Sequence, residues 1–160
     1  MAVKLDQLEP VIFSAYIQGI TLELLSAPGV GKSSVIRQAA KNMAKRLNAP
    51  FCLAVRHLST FDPTDVAGPL FITKRKLTYA GKEHEFESAM NSYPALFPNS
   101  KDVVFLPDGT ETDVGTHGEI PAFGLVFLDE LRQAAHDAQK PTARFMDERR
   151  VGEWDLRMFG

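Results

Sequence analysis

A glycine-rich stretch between residues 26 and 34 has the residue types and spacing of a phosphate-binding loop. Its sequence is Ser-Ala-Pro-Gly-Val-Gly-Lys-Ser-Ser, and it lies between an apolar run at residues 21–25 and a segment with helical periodicity. Glycine permits the positive φ angles that turn successive backbone N–H groups toward a phosphate. The following helix adds the positive end of its dipole. The order of strand, turn and helix therefore predicts a phosphate site.

The polar residues of this loop have separate predicted roles. Lys32 carries a charge to the outer phosphates, and Ser33 offers a hydroxyl to a magnesium ion. Ser26 stands where the pattern G-x-x-x-x-G-K-[ST] expects glycine, and the rest of the pattern is intact. The alternative is a glycine-rich turn that binds no ligand. The residues predicted to surround the phosphates are Pro28, Gly29, Val30, Gly31, Lys32, Ser33 and Ser34.

A second stretch, Gly-Leu-Val-Phe-Leu-Asp-Glu at residues 124–130, predicts a strand that ends in two acids. Its four apolar residues show no alternation, which indicates a strand buried on both faces. Asp129 is then placed to hold magnesium, and Glu130 to orient or deprotonate an attacking water. The alternative is a strand that ends in two solvent-facing acids. The phosphate loop in the same chain favours the functional interpretation.

The segments around the loop predict an α/β fold. A strand, a helix and a second strand in this order indicate a parallel pair with a right-handed crossover. Ligands of such sheets bind at the carboxyl ends of the strands, so the loop at residues 59–68 is expected near the site. Asp62 and Asp65 of that loop are interpreted as helix-capping or turn residues. The predicted elements are a helix that begins at Pro10 and stops at Gly19, a strand at 21–25, a helix at 32–47 and a strand at 51–58.

The rest of the chain predicts inserted hairpins and a helical end. Within residues 69–123, the segments 70–73 and 76–79 are expected to pair as strands, and residues 103–106 are expected to form a strand before a turn at 107–110. Pro141 is expected to restart a helix at its own first turn. Residues 149–154 predict a hairpin or an edge segment.

The length of 160 residues indicates one domain or part of a larger one, and a hydrophobic fraction of 44% is enough for a sizeable core. The net charge of −2 gives no global basic field for nucleic acid. The one cysteine, Cys52, is expected to be a buried thiol in a reducing compartment. No segment has the features of a secretion signal or a membrane span, so we expect a soluble, cytoplasmic protein. The four scattered histidines show no zinc-ligand spacing.

Together these stretches resemble a known family. Residues 26–33, with Pro28, and residues 125–131 are similar to the Walker A and Walker B motifs of AAA+ ATPases. The MoxR branch is indicated by three segments: Phe-Leu-Asp-Glu-Leu at 127–131, Met-Asp-Glu-Arg-Arg-Val-Gly-Glu-Trp at 146–154, and Asp-Pro-Thr-Asp-Val-Ala-Gly at 62–68. Residues 69–123 match only loosely. Arg132 and Gln133 depart from the Asn and Arg usual in the family.

The resemblance implies a single P-loop domain over residues 1–160, a three-layer sandwich with a mostly parallel sheet and inserted hairpins. It implies ATP and Mg²⁺ as cofactors, ATP hydrolysis with Glu130 and Lys32 as catalytic residues, and Ser33 and Asp129 at the metal. It further implies a homo-oligomeric ring that remodels an unknown protein partner.

In the family, a sensor-1 strand lies between the Walker A and Walker B strands, and an arginine finger and a helical lid follow. The sequence ends at Gly160, before all of them. We therefore expect an incomplete core with a gap between the two motif strands.

Two other functions stay open at this stage. One is a regulatory module that binds ATP and turns it over poorly. The other is a nucleic-acid motor, against which the mild acidity argues, although Lys74, Arg75 and Lys76 form a local basic patch in an inserted hairpin. Turnover stimulated by DNA and lost at high salt would support the motor.

Overall fold

The computed structural model describes residues 5–25, 29–151, 154–156 and 159–160. Short 3₁₀ turns at Leu58–Thr60 and Leu131–Gln133 follow two of the strands. The helices are α1 (Leu5–Gln18), α2 (Lys32–Leu47), α3 (Pro63–Ala67), α4 (Val114–His117) and α5 (His136–Glu148). The strands are β1 (Phe51–His57), β2 (Leu70–Tyr79), β3 (Lys82–Asn91), β4 (Val103–Phe105), β5 (Glu111–Asp113), β6 (Phe123–Asp129), β7 (Arg150–Val151) and β8 (Trp154–Asp155).

The chain is mixed α/β, and its main sheet has four strands in the order β5-β4-β1-β6. β1 and β6 are parallel, with Phe51 opposite Phe123 and His57 opposite Asp129. β4 runs antiparallel to both β1 and β5. The sheet is therefore mixed, where a mostly parallel one was predicted. Because β1 and β6 are in register and parallel, their carboxyl ends lie side by side.

The central strand β1 is buried on both faces, as its unbroken apolar run predicts. Phe51 and Leu53 pack with residues of α1 and α2, while Cys52 packs in a separate cluster with Val104 and Phe159. A third cluster joins α3, α5 and the turn at residues 94–98; its buried members are Leu58, Val66, Leu96, Phe97, Ala134, Ala138 and Phe145. Burial on both faces holds the body of β1 in position, while its last residue, His57, is exposed.

Two proline predictions are wrong. α1 begins at Leu5, so Pro10 lies inside it rather than at its start. Pro141 also lies inside a continuous α5 and does not restart the helix. In both helices the proline is the sixth residue, past the first four amide groups that lack intrahelical acceptors, so each proline removes one hydrogen bond from a helix that nevertheless continues through it. α2, in contrast, has the predicted bounds, and Asn48 ends it in the left-handed conformation.

The predicted pairing within residues 69–79 is also wrong. Both predicted segments belong to one strand, β2, which pairs with β3 through a two-residue turn at Ala80 and Gly81. Both turn residues have positive φ, as a type I′ hairpin turn requires. The predicted strand and turn at 103–110 are confirmed as β4 and its connection to β5. The predicted terminal hairpin is confirmed as β7 and β8.

Residues 21–25, predicted as the first strand, belong to no strand in the described part of the chain. Leu24 packs against the α1–α2 core, but Leu25 is 67% exposed. An extended segment becomes a strand only when a neighbouring backbone pairs with it. The predicted parallel pairing of this segment with residues 51–58 is therefore absent from the described residues, and β1 pairs with β4 and β6 instead.

Among the described residues, no helix combines the length and the apolar character needed to cross a membrane.

Candidate functional site

The described part of the predicted phosphate loop has the backbone that its glycines allow. Gly29 and Gly31 have φ angles of 79° and 86°, in the left-handed region where a Cβ is unfavourable. α2 begins directly after Gly31, at Lys32, and none of the described side chains caps its N-terminus. The first amide groups of a helix have no intrahelical acceptor and can donate to an external one. Of the predicted phosphate-binding residues, Pro28 lies outside the described residues.

One cavity of about 990 Å³ brings the two predicted motifs together. Gly29 to Ser34 line it, and so do Asp129 and Glu130 at the end of β6. Its volume is at the upper end of the roughly 300–1,000 Å³ typical of ligand sites. Lys32 is half-buried, while Ser33 and Ser34 are exposed. The described residues predicted for phosphate, metal and water thus share one concave surface.

The two acids at the end of β6 differ in their surroundings. Asp129 accepts a hydrogen bond from the backbone N–H of Glu130 at 3.0 Å. Glu130 has φ 60° and ψ 30°, a left-handed conformation that is uncommon for a residue other than glycine, asparagine or aspartate. Such backbone strain is concentrated at functional sites, where the surrounding structure maintains it. The left-handed conformation of Glu130 directs the chain from the end of β6 into the 3₁₀ turn at Leu131–Gln133.

The structure adds two polar residues that the sequence reasoning did not single out. The Ser59 hydroxyl donates to Oε2 of Glu130, and Nδ1 of His57 lies 3.7 Å from Oδ2 of Asp129. The positions of both residues follow from the parallel register of β1 and β6, because the end of β1 lies beside the end of β6. The rule that ligands bind at the carboxyl edge places the loop that begins at Ser59 near the site, but the contacts with Asp129 and Glu130 depend on β1 lying beside β6.

The two acids of the loop after β1 do not belong to the cavity lining. Asp62 and Asp65 form a capping box at the start of α3, in which each side chain accepts from the backbone of the other residue. The interpretation of both acids as capping residues is confirmed.

Residues 20–25 also line the cavity. The Arg149 guanidinium donates to the Gly19 carbonyl at 2.9 Å, and the Thr21 hydroxyl donates to the Met146 carbonyl at 2.9 Å. Nη2 of Arg132 lies 3.3 Å from Oε1 of Glu23. These three contacts connect the segment before the phosphate loop to α5 and to the turn after β6.

The last described residues, Phe159 and Gly160, also line the cavity. Gly160 donates its N–H to the Gly124 carbonyl at 2.9 Å and accepts from the Val126 N–H at 3.0 Å. Tyr16 is another lining residue. Burial raises the pKa of the Tyr16 phenol, although a backbone hydrogen bond from Gly124 and the charge of Arg149 act in the opposite direction. The phenol is therefore neutral at pH 7.

The residues present fit a magnesium ion that accompanies a nucleotide. Mg²⁺ in such sites is held by one or two carboxylates together with substrate phosphates and water. Asp129 and Ser33 supply a carboxylate and a hydroxyl on the same cavity. No group of three or more His, Cys, Asp or Glu side chains that could hold a metal occurs within the described residues.

Comparisons with models of protein families, with curated proteins and with solved structures return no match to this chain.

Proposed function

We propose that this chain binds ATP with Mg²⁺ and contributes the catalytic groups for hydrolysis of the terminal phosphoanhydride. The observation that carries the proposal is the shared cavity: the glycine-rich turn at the head of α2 and the Asp129–Glu130 pair at the end of β6 line the same concave surface. The glycine-rich turn would bind the phosphates, and the Asp129–Glu130 pair would supply a metal ligand and a base.

In this proposal each residue of the site has a separate chemical role. Lys32 would bring its ammonium group to the outer phosphates, and the open amide groups of α2 would donate to phosphate oxygens. Glu130 would accept a proton from the attacking water or orient it. Ser33 and Asp129 would hold Mg²⁺, which when bound neutralises charge that develops on the phosphoryl oxygens.

We further propose that the domain is a P-loop three-layer sandwich of the AAA+ type, similar to the MoxR branch. Support comes from the residue patterns at 26–33, 62–68 and 125–131, and from the parallel pairing of β1 with β6. By that resemblance the domain would act in a homo-oligomeric ring that remodels a protein partner. Specific activity that rises with protein concentration would support the ring, and full turnover by the isolated monomer would argue against it.

The variant Glu130→Gln separates hydrolysis from simple binding. Loss of the carboxylate base should lower turnover at least about 100-fold, because general-base catalysis contributes roughly 10²–10⁴. ATP affinity should change less than about threefold, since the isosteric amide keeps the shape of the site. Glu87→Gln, on an exposed strand away from the cavity, is the matched control. If the chain binds ATP but Glu130→Gln changes the turnover little, the chain would instead be a regulatory module.

A further inference from the structure

The hairpin formed by β2 and β3 has two chemically different faces. Residues paired across an antiparallel ladder point to the same side, and successive residues alternate. One side carries the rings of Phe71, Tyr79 and Phe86 together with Arg75, Lys82 and His84, as the register of the ladder shows. We call this side the aromatic face; Leu77 also lies on it, opposite His84.

The acidic residues of the hairpin all lie on the opposite side, where lysines neutralise two of them. Nζ of Lys74 lies 3.4 Å from Oε1 of Glu85, and Nζ of Lys76 lies 2.9 Å from Oε2 of Glu83. Glu87 faces Lys74 across the ladder. Every residue of the hairpin is described, and within it the aromatic face carries cations without a carboxylate.

The aromatic face is open to solvent. Tyr79 is 73% exposed, Leu77 58%, Phe71 47% and Phe86 44%. Arg75 lies along the face and contacts the sulfur of Met90. The hairpin is nevertheless firmly attached at its base, where the Asn91 side chain donates to the carbonyls of Ala67 and Gly68. Large apolar side chains exposed on a well-anchored element mark an interaction surface.

We propose that the aromatic face of this hairpin binds single-stranded nucleic acid. Exposed rings stack on unpaired bases, and interleaved cations contact the phosphates between them. Same-face residues of one strand lie about 7 Å apart, twice the rise per residue. Along β2 this face carries Arg75 between the rings of Phe71 and Tyr79, and across the ladder Arg75 lies opposite Phe86. A purely apolar partner would bury Arg75 and Lys82 without a counter-charge, which is costly. A duplex offers its phosphates but not the faces of its bases.

This inference does not depend on the proposed function. No residue of the hairpin lines the cavity that holds the phosphate loop. Lys32→Ala should therefore leave nucleic-acid binding unchanged while it removes ATP binding, so the two proposals fail separately.

Fluorescence anisotropy of the full chain with a labelled single-stranded DNA of mixed sequence, the same sequence as RNA, and the DNA duplex tests the proposal. We expect either single strand to bind at least about tenfold more tightly than the duplex. The double variant Tyr79→Ala, Phe86→Ala should weaken single-strand binding at least about tenfold, since each stacked ring contributes measurably. Both rings are exposed on the hairpin, so the fold should be retained.

Two matched double variants test whether the oligonucleotide binds to the aromatic face or to the opposite side of the hairpin. Arg75→Gln with Lys82→Gln should reduce the slope of log affinity against log salt by about 1.4, because each lost phosphate contact accounts for about 0.7 on a single strand. Lys74→Gln with Lys76→Gln removes the same charge from the opposite side and should leave that slope unchanged. Equal effects of the two pairs, equal affinity for the duplex, or the absence of oligonucleotide binding would overturn the proposal. Equally tight binding of labelled polyglutamate would overturn it in favour of an acidic protein partner.

Discussion

The Ser59 hydroxyl donates a hydrogen bond to the Glu130 carboxylate, and this contact joins the ends of the two parallel strands at the candidate site. Ser59 lies in the 3₁₀ turn after β1, and Glu130 follows β6 in a left-handed conformation. The serine therefore fixes the direction of a carboxylate whose backbone is already constrained. In the proposed enzyme, Ser59 is a positioning residue that acts through Glu130.

Replacement of Ser59 by alanine should lower kcat about five- to tenfold and change ATP affinity less than about twofold. A hydrogen bond to a charged group is worth roughly 1.5–3 kcal/mol, part of which is recovered by water at this exposed position. Steady-state kinetics and a binding titration measure the two effects. Ser59→Thr keeps the hydroxyl and should restore most of the rate. An unchanged or higher kcat in Ser59→Ala would show that the serine does not position the base.

The parts of the fold that were predictable are those decided by local pattern. The bounds of α2 follow from its apolar period and from Asn48 and Pro50 after it, and β1 and β6 follow from their unbroken apolar runs. The hairpin register was missed because it depends on the positive φ of Ala80, and alanine carries no turn signal. Residues 21–25 have the composition of a strand, but strand formation depends on a partner backbone, which local sequence does not encode.

The two motifs of the candidate site were predictable from the sequence, but the residues that contact them were not. Asp129 and Glu130 were identified because they end an apolar strand, although β6 is mostly half-buried where a strand buried on both faces was predicted. Ser59 and His57 were not, because their role depends on which strand lies beside β6. Which strand lies beside β6 is decided by the tertiary structure.

A buried ion pair on β1 should be a main determinant of stability. Arg56 donates to both carboxylate oxygens of Asp102, at 2.7 and 2.5 Å, and also to the carbonyls of Ala95 and Phe97. Both side chains are more than 90% buried. Asp102→Ala leaves the guanidinium without its counter-charge and should lower the free energy of unfolding by about 3–5 kcal/mol.

Urea denaturation measures this change, and an exposed ion pair supplies the control. Arg37 and Glu111 also form an ion pair, but both side chains are more than one-third exposed. Glu111→Ala should therefore cost no more than about 1 kcal/mol. Similar losses for Asp102→Ala and Glu111→Ala would contradict the assigned role of burial.

The Cys52 thiol should make stability depend on alkaline pH. Burial, with a smaller contribution from the Asp102 carboxylate, raises the pKa of Cys52 from its ordinary value of 9.0 to about 12, against the opposing effect of Arg56. Above pH 9 the unfolded chain ionises this thiol while the folded chain keeps it protonated. The folded state is thus favoured fully below pH 9, and this contribution is lost as the pH rises toward 12.

Urea denaturation of the native protein and of Cys52→Ala at pH 8 and at about pH 10.5 tests this dependence. The free energy of unfolding of the native protein should fall more steeply with pH than that of the variant. Parallel pH dependences in the two proteins would show that the thiol ionises equally in the folded and unfolded states.

The phosphate site at the head of α2 should be detectable as nucleotide binding by this chain. Isothermal titration with ATP, with and without Mg²⁺, should give binding that Mg²⁺ strengthens and that Lys32→Ala weakens at least about tenfold, because a charge-assisted contact to phosphate is lost. Lys45→Ala, at the exposed far end of the same helix, should bind like the native protein. Absence of ATP binding in the folded native chain, or equal affinity in Lys32→Ala, would contradict the account.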